Sequence, residues 1–313
     1  MKTYILATMI VALFVMTIPF GFAKAADIKN NLDSLVYITT GSGYAGGGIL
    51  LKENYFLTNS HIIHGETGLK VTSHQYNEYP AHVVWDDEAY DLALVQVDDW
   101  QTYKSENVIR YAKPTTHYDI LDNVYLFGHP NHSVFSATRG IISNRTFHLT
   151  NRNFVIVTDS GLYQGMSGGM MVNEKGQLLG MNELFMKTDG GSLGGVIPYE
   201  IIRKVMRDQE LYHENRPAMG GVTFNATGKV IGFSENSTSH AQGYEIGDIV
   251  VSGIDVDGHE VVFANNTQRV MFFTSRDLDV PTIANIIRNG KKMAITLHPS
   301  FNIIPNDSPI PQE

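Results

Sequence analysis

The run Gly165-Met166-Ser167-Gly168-Gly169 constrains this chain more than any other. A serine set among glycines lies on backbone that can turn sharply, because glycine enters left-handed conformations at little cost. Thr158-Asp159-Ser160 precedes the run and the apolar Met170-Met171-Val172 follows it. Alone, such a stretch is a glycine-rich turn. Two upstream segments give it chemical meaning. Leu57-Thr58-Asn59-Ser60-His61 ends one apolar run, and Asp91-Leu92-Ala93-Leu94-Val95 opens another.

The order along the chain is therefore histidine, aspartate, serine. That is the order of the chymotrypsin-type double barrel and not of the subtilisin or α/β-hydrolase arrangements. A serine hydroxyl is a weak nucleophile at neutral pH and needs a neutral imidazole to take its proton, a role for His61. The imidazole in turn needs a carboxylate to fix its tautomer and stabilise its cation, a role for Asp91. Glycines beside Ser167 let two backbone amides, those of Gly165 and Ser167, face the oxygen that gains charge in the transition state. Other roles exist for each residue. His61 and His64 have the spacing of a metal pair, but no carboxylate or cysteine completes it, and Asp91 also suits a turn before a strand.

These segments, with others between and after them, resemble the HtrA/Deg-type trypsin-like serine proteases. The similarity takes in the glycine-rich hairpin Gly41 to Leu50, Leu57 to His61, Tyr90 to Val97, Gly128-His129-Pro130, Thr138 to Ser143 and Thr158-Asp159. It continues through the serine motif, Gly176 to Asn182 and Gly194-Gly195-Val196-Ile197-Pro198. The resemblance implies a His61, Asp91, Ser167 triad acting through an acyl-enzyme without a cofactor or metal. It implies that Gly194, Gly195 and Val196 pair with the substrate backbone beside the specificity pocket. The pocket-base position six residues before the nucleophile is Gly161, and Leu162 and Val196 border it, so aliphatic P1 residues are expected and basic ones disfavoured. Met166 replaces the asparagine usual before the nucleophile, a change expected to bear on the oxyanion turn or the S1 wall. Misfolded or signal-exposing envelope proteins are the implied substrates and a homotrimer the implied assembly. The loops Ser160 to Gln164 and Lys187 to Ser192 would gate activity, holding the oxyanion amides misaligned at rest.

Composition narrows the field further. The chain has 313 residues, 43% of them hydrophobic, which is room for two domains with real cores. Its net charge of −9 argues against nucleic-acid binding, which needs a basic surface. It has no cysteine, so neither disulfides nor thiolate chemistry contribute. At the N-terminus, Lys2 leads an apolar stretch from Tyr4 to about Ile18, then Pro19 and Gly21, then Ala23-Lys24-Ala25. This is the pattern of a secretory signal over residues 1–25, placing the mature protein in the periplasm or outside the cell. An uncleaved membrane anchor is the alternative, since Tyr4 to Ala23 is close to the roughly 20 residues a bilayer requires.

From residue 26 to 212 short β-rich runs alternate with Gly, Asn and Asp punctuation, as in a barrel or sandwich. Tyr199 to Gln209 carries apolar residues at Ile201, Ile202, Val205 and Met206 and predicts a helix closing that domain. Residues 216–300 then form a second unit, with strands at Gly221 to Phe224, Val230 to Phe233, Ile249 to Ile254 and Met293 to His298 and a helix at Pro281 to Arg288. Gly243-Tyr244-Glu245-Ile246-Gly247-Asp248 before an apolar strand resembles a PDZ domain. Such modules hold C-terminal peptides by strand addition. Met219-Gly220-Gly221-Val222 is then the carboxylate loop, or otherwise a plain β-turn. Residues 301–313, with three prolines, form a tail. The fold expected is mostly β: a chymotrypsin-like double β-barrel followed by a small α+β PDZ-like domain. Two functions fit it, a serine endopeptidase and a catalytically silent barrel serving as chaperone or peptide binder.

Overall fold

A computed structural model of the chain describes residues 28–148, 154–188, 191–212, 222–233, 239–255, 258–274 and 281–298. The leader 1–25, the tail 301–313 and Met219, Gly220 and Gly221 lie outside the described residues.

The first six strands are β1 (Leu35–Thr39), β2 (Ala45–Lys52), β3 (Tyr55–Thr58), β4 (Lys70–Thr72), β5 (Glu78–Asp87) and β6 (Leu92–Val97). They close a barrel in the order β1-β2-β3-β6-β5-β4. The next six are β7 (Asn123–Gly128), β8 (Ser136–His148), β9 (Phe154–Thr158), β10 (Met170–Asn173), β11 (Leu178–Thr188) and β12 (Gly191–Pro198). They close a second barrel in the order β10-β11-β12-β9-β8-β7. Closure leaves no sheet edge exposed along most of each barrel, which short antiparallel strands otherwise must protect.

The barrels share a core. Leu35, Ile49, Leu57 and Leu92 of the first pack with Phe127, Met170, Val172, Met181 and Ile197 of the second, and all are buried. The helix Tyr199–Tyr212 seals this seam with Ile201, Ile202 and Val205, the apolar face the sequence predicts. Each such aliphatic side chain contributes roughly 1.5–3 kcal/mol by leaving water. His61 follows a strand of the first barrel and Ser167 precedes a strand of the second, so this seam sets their relative position.

The hairpin glycines serve the seam directly. A Cβ on Gly47 would lie 2.5 Å from the Gly169 nitrogen, and one on Gly168 would lie 2.1 Å from the Gly47 oxygen. Gly168 also has φ of 77°. Only glycine at both positions lets β2 and the serine turn touch backbone to backbone.

Beyond residue 221, β13 (Val222–Phe224) pairs with β14 (Val230–Phe233), and β15 (Ile249–Ile254), β16 (Glu260–Val262), β17 (Thr282–Arg288) and β18 (Lys291–Leu297) form a sheet of order β16-β15-β17-β18. The expectation of a helix at Pro281 to Arg288 is corrected here, because Thr282–Arg288 is a strand. Thr282, Ala284 and Ile286 are buried and the residues between them are not, a period of two that favours a strand. The helix of this unit is Asn266–Thr274. Its start is a capping box: Asn265 Oδ1 accepts from the Gln268 amide at 2.9 Å and Gln268 Oε1 from the Ala264 amide at 2.8 Å. The Gly-x-x-x-Gly-Asp motif is pinned to β17, since Arg288 grips Asp248 with Nε and Nη2, each at 2.7 Å.

Candidate active site

His61 lies on a single helical turn, Ser60–Ile63, that follows β3. The strand end is fixed from beneath: the Thr58 hydroxyl donates to the Gly47 oxygen at 2.7 Å. Asp91 stands just before β6 with φ of 51°, a left-handed conformation that aspartate tolerates better than most residues. The Asn59 amide holds it there by donating to the Asp91 carbonyl at 3.0 Å. The Asp91 carboxylate then meets His61 twice. Its Oδ1 accepts the His61 backbone N–H at 2.9 Å, and its oxygens lie 2.8 and 3.0 Å from Nδ1. A carboxylate on Nδ1 selects the tautomer with the proton there and leaves Nε2 as the base. His64 takes a separate partner, Asp86, at 2.5 Å.

Ser167 sits in the turn between β9 and β10, and its carbonyl accepts from the Gly47 amide at 2.7 Å across the seam. Its hydroxyl donates to the Glu183 carbonyl at 2.9 Å. Among the described residues it makes no hydrogen bond to His61.

The two oxyanion candidates have definite orientations. The Gln164 carbonyl accepts from the Asn131 amide at 2.9 Å, and the Met166 carbonyl from Gly169 at 3.0 Å. A trans peptide is planar with N–H and C=O opposed, so these bonds turn the Gly165 and Ser167 amides the other way. Neither amide donates to a described residue. The Ser167 hydroxyl is thus bonded to the Glu183 carbonyl, while the two amides have no acceptor among the described residues.

Two expectations change. Gly194, Gly195 and Val196 pair with Thr158, Val157 and Ile156 of β9 on one side and with β11 on the other. Both edges are occupied, so this segment cannot add a substrate strand. Beyond Met181, β11 pairs with β12 on one side and with no strand among the described residues on the other, and Glu183 there offers its carbonyl to Ser167. Val196 and Leu162 are also not exposed pocket walls: both lie in the second barrel's core with Met166, which is itself fully buried. Gly161 is closely covered by the Tyr163 and Ser192 hydroxyls, which would stand 3.2 and 3.3 Å from a Cβ there.

Residues the motifs did not reveal complete the site. Asn182, buried, donates to the Phe127 oxygen at 2.9 Å and the Met166 oxygen at 3.3 Å, bracing the serine turn. Glu183 contributes a backbone oxygen, which no residue type announces. A cleft of about 410 Å³ opens beside Gly165, bordered by Tyr37, Tyr44, Asn131 and His132.

The family model for the trypsin-like peptidase domain matches residues 46–181. The serine endoprotease DegS of Haemophilus influenzae is 26% identical over 288 residues, covering 87% of this chain and 80% of its own length. DegS of Escherichia coli K12 is 30% identical over 240 residues, covering 73% of this chain and 63% of its own. Among solved structures, the HtrA-type protease AlgW with tripeptide aligns with a TM-score of 0.62 at 21% identity, over 90% of this chain and 98% of that one. Two six-stranded barrels with this motif order define a trypsin-like serine protease. The relatives narrow the class, and within it the chain is of the HtrA type.

Proposed function

We propose that the protein is an exported serine endopeptidase that cleaves misfolded or signal-exposing envelope proteins through His61, Asp91 and Ser167. The observation that carries this reading is the His61–Asp91 pair of the first barrel together with a serine turn bonded to that barrel at Gly47, whose Gly165 and Ser167 amides have no acceptor among the described residues. In the proposed cycle Ser167 Oγ leaves the Glu183 carbonyl, passes its proton to His61 Nε2 and attacks the scissile carbonyl carbon. The Gly165 and Ser167 amides take the resulting oxyanion. His61 then protonates the leaving amine, and water, activated by the same imidazole, hydrolyses the acyl-enzyme. The envelope setting is supported by relatives named as periplasmic, such as the DegP-like endoprotease of Hahella chejuensis. Among the described residues no helix is long and apolar enough to cross a membrane.

The unit from Val222 onward we read as a PDZ-like module for C-terminal peptides, whose occupancy raises turnover, and the assembly as a homotrimer. The catalytically silent alternative draws on one observation, the Ser167 hydroxyl held by Glu183. Labelling with a fluorophosphonate separates the two: stoichiometric modification at Ser167 supports the peptidase, and an unreactive folded protein supports the silent barrel.

A further inference from the structure

We propose that His129 is a positioning residue that ties the oxyanion turn to the first barrel. The inference rests on the peptidase reading above. The segment after β7 carries three non-glycine residues in left-handed conformations: Asn131 at 47°, His132 at 66° and Phe135 at 56°. Side chains disfavour this region, most of all at Phe135, so the contacts the segment makes hold it there. Two of those contacts grip the serine turn. The His129 amide donates to the Gly165 oxygen at 3.2 Å and the Asn131 amide to the Gln164 oxygen at 2.9 Å. They clasp the carbonyls on both sides of the Gly165 amide and so set where that amide points. The approach is close enough that a Cβ on Gly165, whose φ is 92°, would stand 2.3 Å from the His129 oxygen.

The His129 side chain anchors this clasp. It is fully buried. Its Nδ1 accepts the Phe135 amide at 3.0 Å, which leaves Nε2 to carry the proton and donate to the Val36 oxygen of β1, also at 3.0 Å. Tyr37 and Phe135 pack on the ring at 4.8 and 5.0 Å between centroids. One imidazole therefore closes its own loop and bonds the other barrel.

The attachment point is significant. Val36 pairs with Gly48 and Tyr37 with Gly47 in β1 and β2, and Gly47 makes another cross-barrel bond, to the Ser167 oxygen. Two adjacent hydrogen bonds thus register the oxyanion amides against the barrel that carries His61, and the Nε2–H of His129 supplies one of them.

Three variants test this. His129→Gln keeps a donor near the Nε2 position, His129→Asn keeps an acceptor near Nδ1, and His129→Ala keeps neither. With folding checked by circular dichroism, Ala and Asn should lower kcat about 10- to 100-fold with KM within about twofold, less than the 10²–10³-fold that losing one oxyanion donor costs. Gln should return kcat to within about fivefold of wild type. A peptide boronate, whose oxygen fills the hole, should lose affinity in parallel with kcat while the product peptide does not. A folded Ala variant with wild-type kcat, equal weakening of boronate and product, or Asn outperforming Gln each overturns the assignment. If the wild type cleaves nothing, the peptidase reading fails, and the inference is judged by NMR instead. The Gly165 and Ser167 amide resonances should shift in His129→Asn and not in His129→Gln, and insensitivity to both overturns it.

Discussion

The Ser167 hydroxyl donates to the Glu183 carbonyl at 2.9 Å while the His61 imidazole is turned onto Asp91. Freeing the hydroxyl costs about one hydrogen bond, roughly 0.5–1.5 kcal/mol, and a rotamer change takes nanoseconds or less. On the peptidase proposal, a substrate N–H competing for the Glu183 carbonyl that now accepts from Ser167 would release the serine. A peptide substrate N-methylated at the P1 amide should therefore turn over at least about tenfold more slowly, since its cost of one buried hydrogen bond falls on the reacting geometry. Equal kcat/KM for methylated and parent peptides would contradict this release.

Removing the nucleophile separates chemistry from folding. Ser167→Ala loses one hydrogen bond and almost no volume, so its unfolding free energy should stay within about 1 kcal/mol of wild type while casein turnover disappears. Asp91→Asn should keep the fold but lower kcat by about 10⁴, the loss seen when an imidazole is held in the wrong tautomer. Turnover by the alanine variant would remove Ser167 from the mechanism.

Specificity should follow the missing carboxylate. On the proposal that Gly161 forms the pocket base, its described neighbours there are the uncharged Tyr163 and Ser192 hydroxyls, which do not neutralise a basic side chain, and cleavage after Lys or Arg should be rare. Mass spectrometry of digested β-casein reads this directly, and predominantly basic P1 residues would refute it.

Two buried groups should give stability opposite pH dependences. Burial pushes Glu200 up to about 7 although the Tyr118 hydroxyl, Arg203 and Arg145 oppose it, and its Oε2 is buried without a hydrogen bond among the described residues. A carboxyl raised in the folded state adds stability below its unfolded value that is lost as pH rises toward 7. Glu200→Gln should therefore raise Tm at pH 8, by an amount worth on the order of 2–3 kcal/mol at most, and change little at pH 4.5. Burial holds His129 down to about 4, so its contribution is intact above about 6.5 and fades as pH falls toward 4. A Glu200→Gln variant no more stable than wild type at pH 8 would rule out the first effect.

Gating through the second unit predicts that apolar C-terminal peptides raise turnover of the full chain, whereas a chain ending at Tyr212 keeps basal activity and loses the rise. Measuring kcat/KM of both against peptide concentration decides it. The same rise in the shortened chain would assign activation to another surface.

The candidate triad was legible because side-chain chemistry imposes short, typed motifs: His61 after an apolar run, Asp91 before one, Ser167 among glycines. The β class was legible because short apolar runs are punctuated by Gly, Asn and Asp, whereas strands such as β6 and β9 are buried almost throughout and carry no alternation, so the choice of a double barrel over a sandwich rested on motif order. The helix at Asn266–Thr274 was readable in principle from Asn265 and Gln268, the ends of its capping box. It was displaced onto Thr282–Arg288, whose isoleucines suit either structure until strand partners are known.

The sequence by itself determined which groups can do the chemistry, since nucleophile, base and carboxylate are properties of residue types. Tertiary structure alone decided how they are held. The Glu183 carbonyl and the Gly165 amide are backbone atoms that every residue possesses, and their roles arise only when β11 and the serine turn meet. The edge lost at Gly194 to Val196, and the bond from His129 to Val36 across 93 residues, likewise depend on which strands pair. Local sequence carries no record of those distant hydrogen bonds.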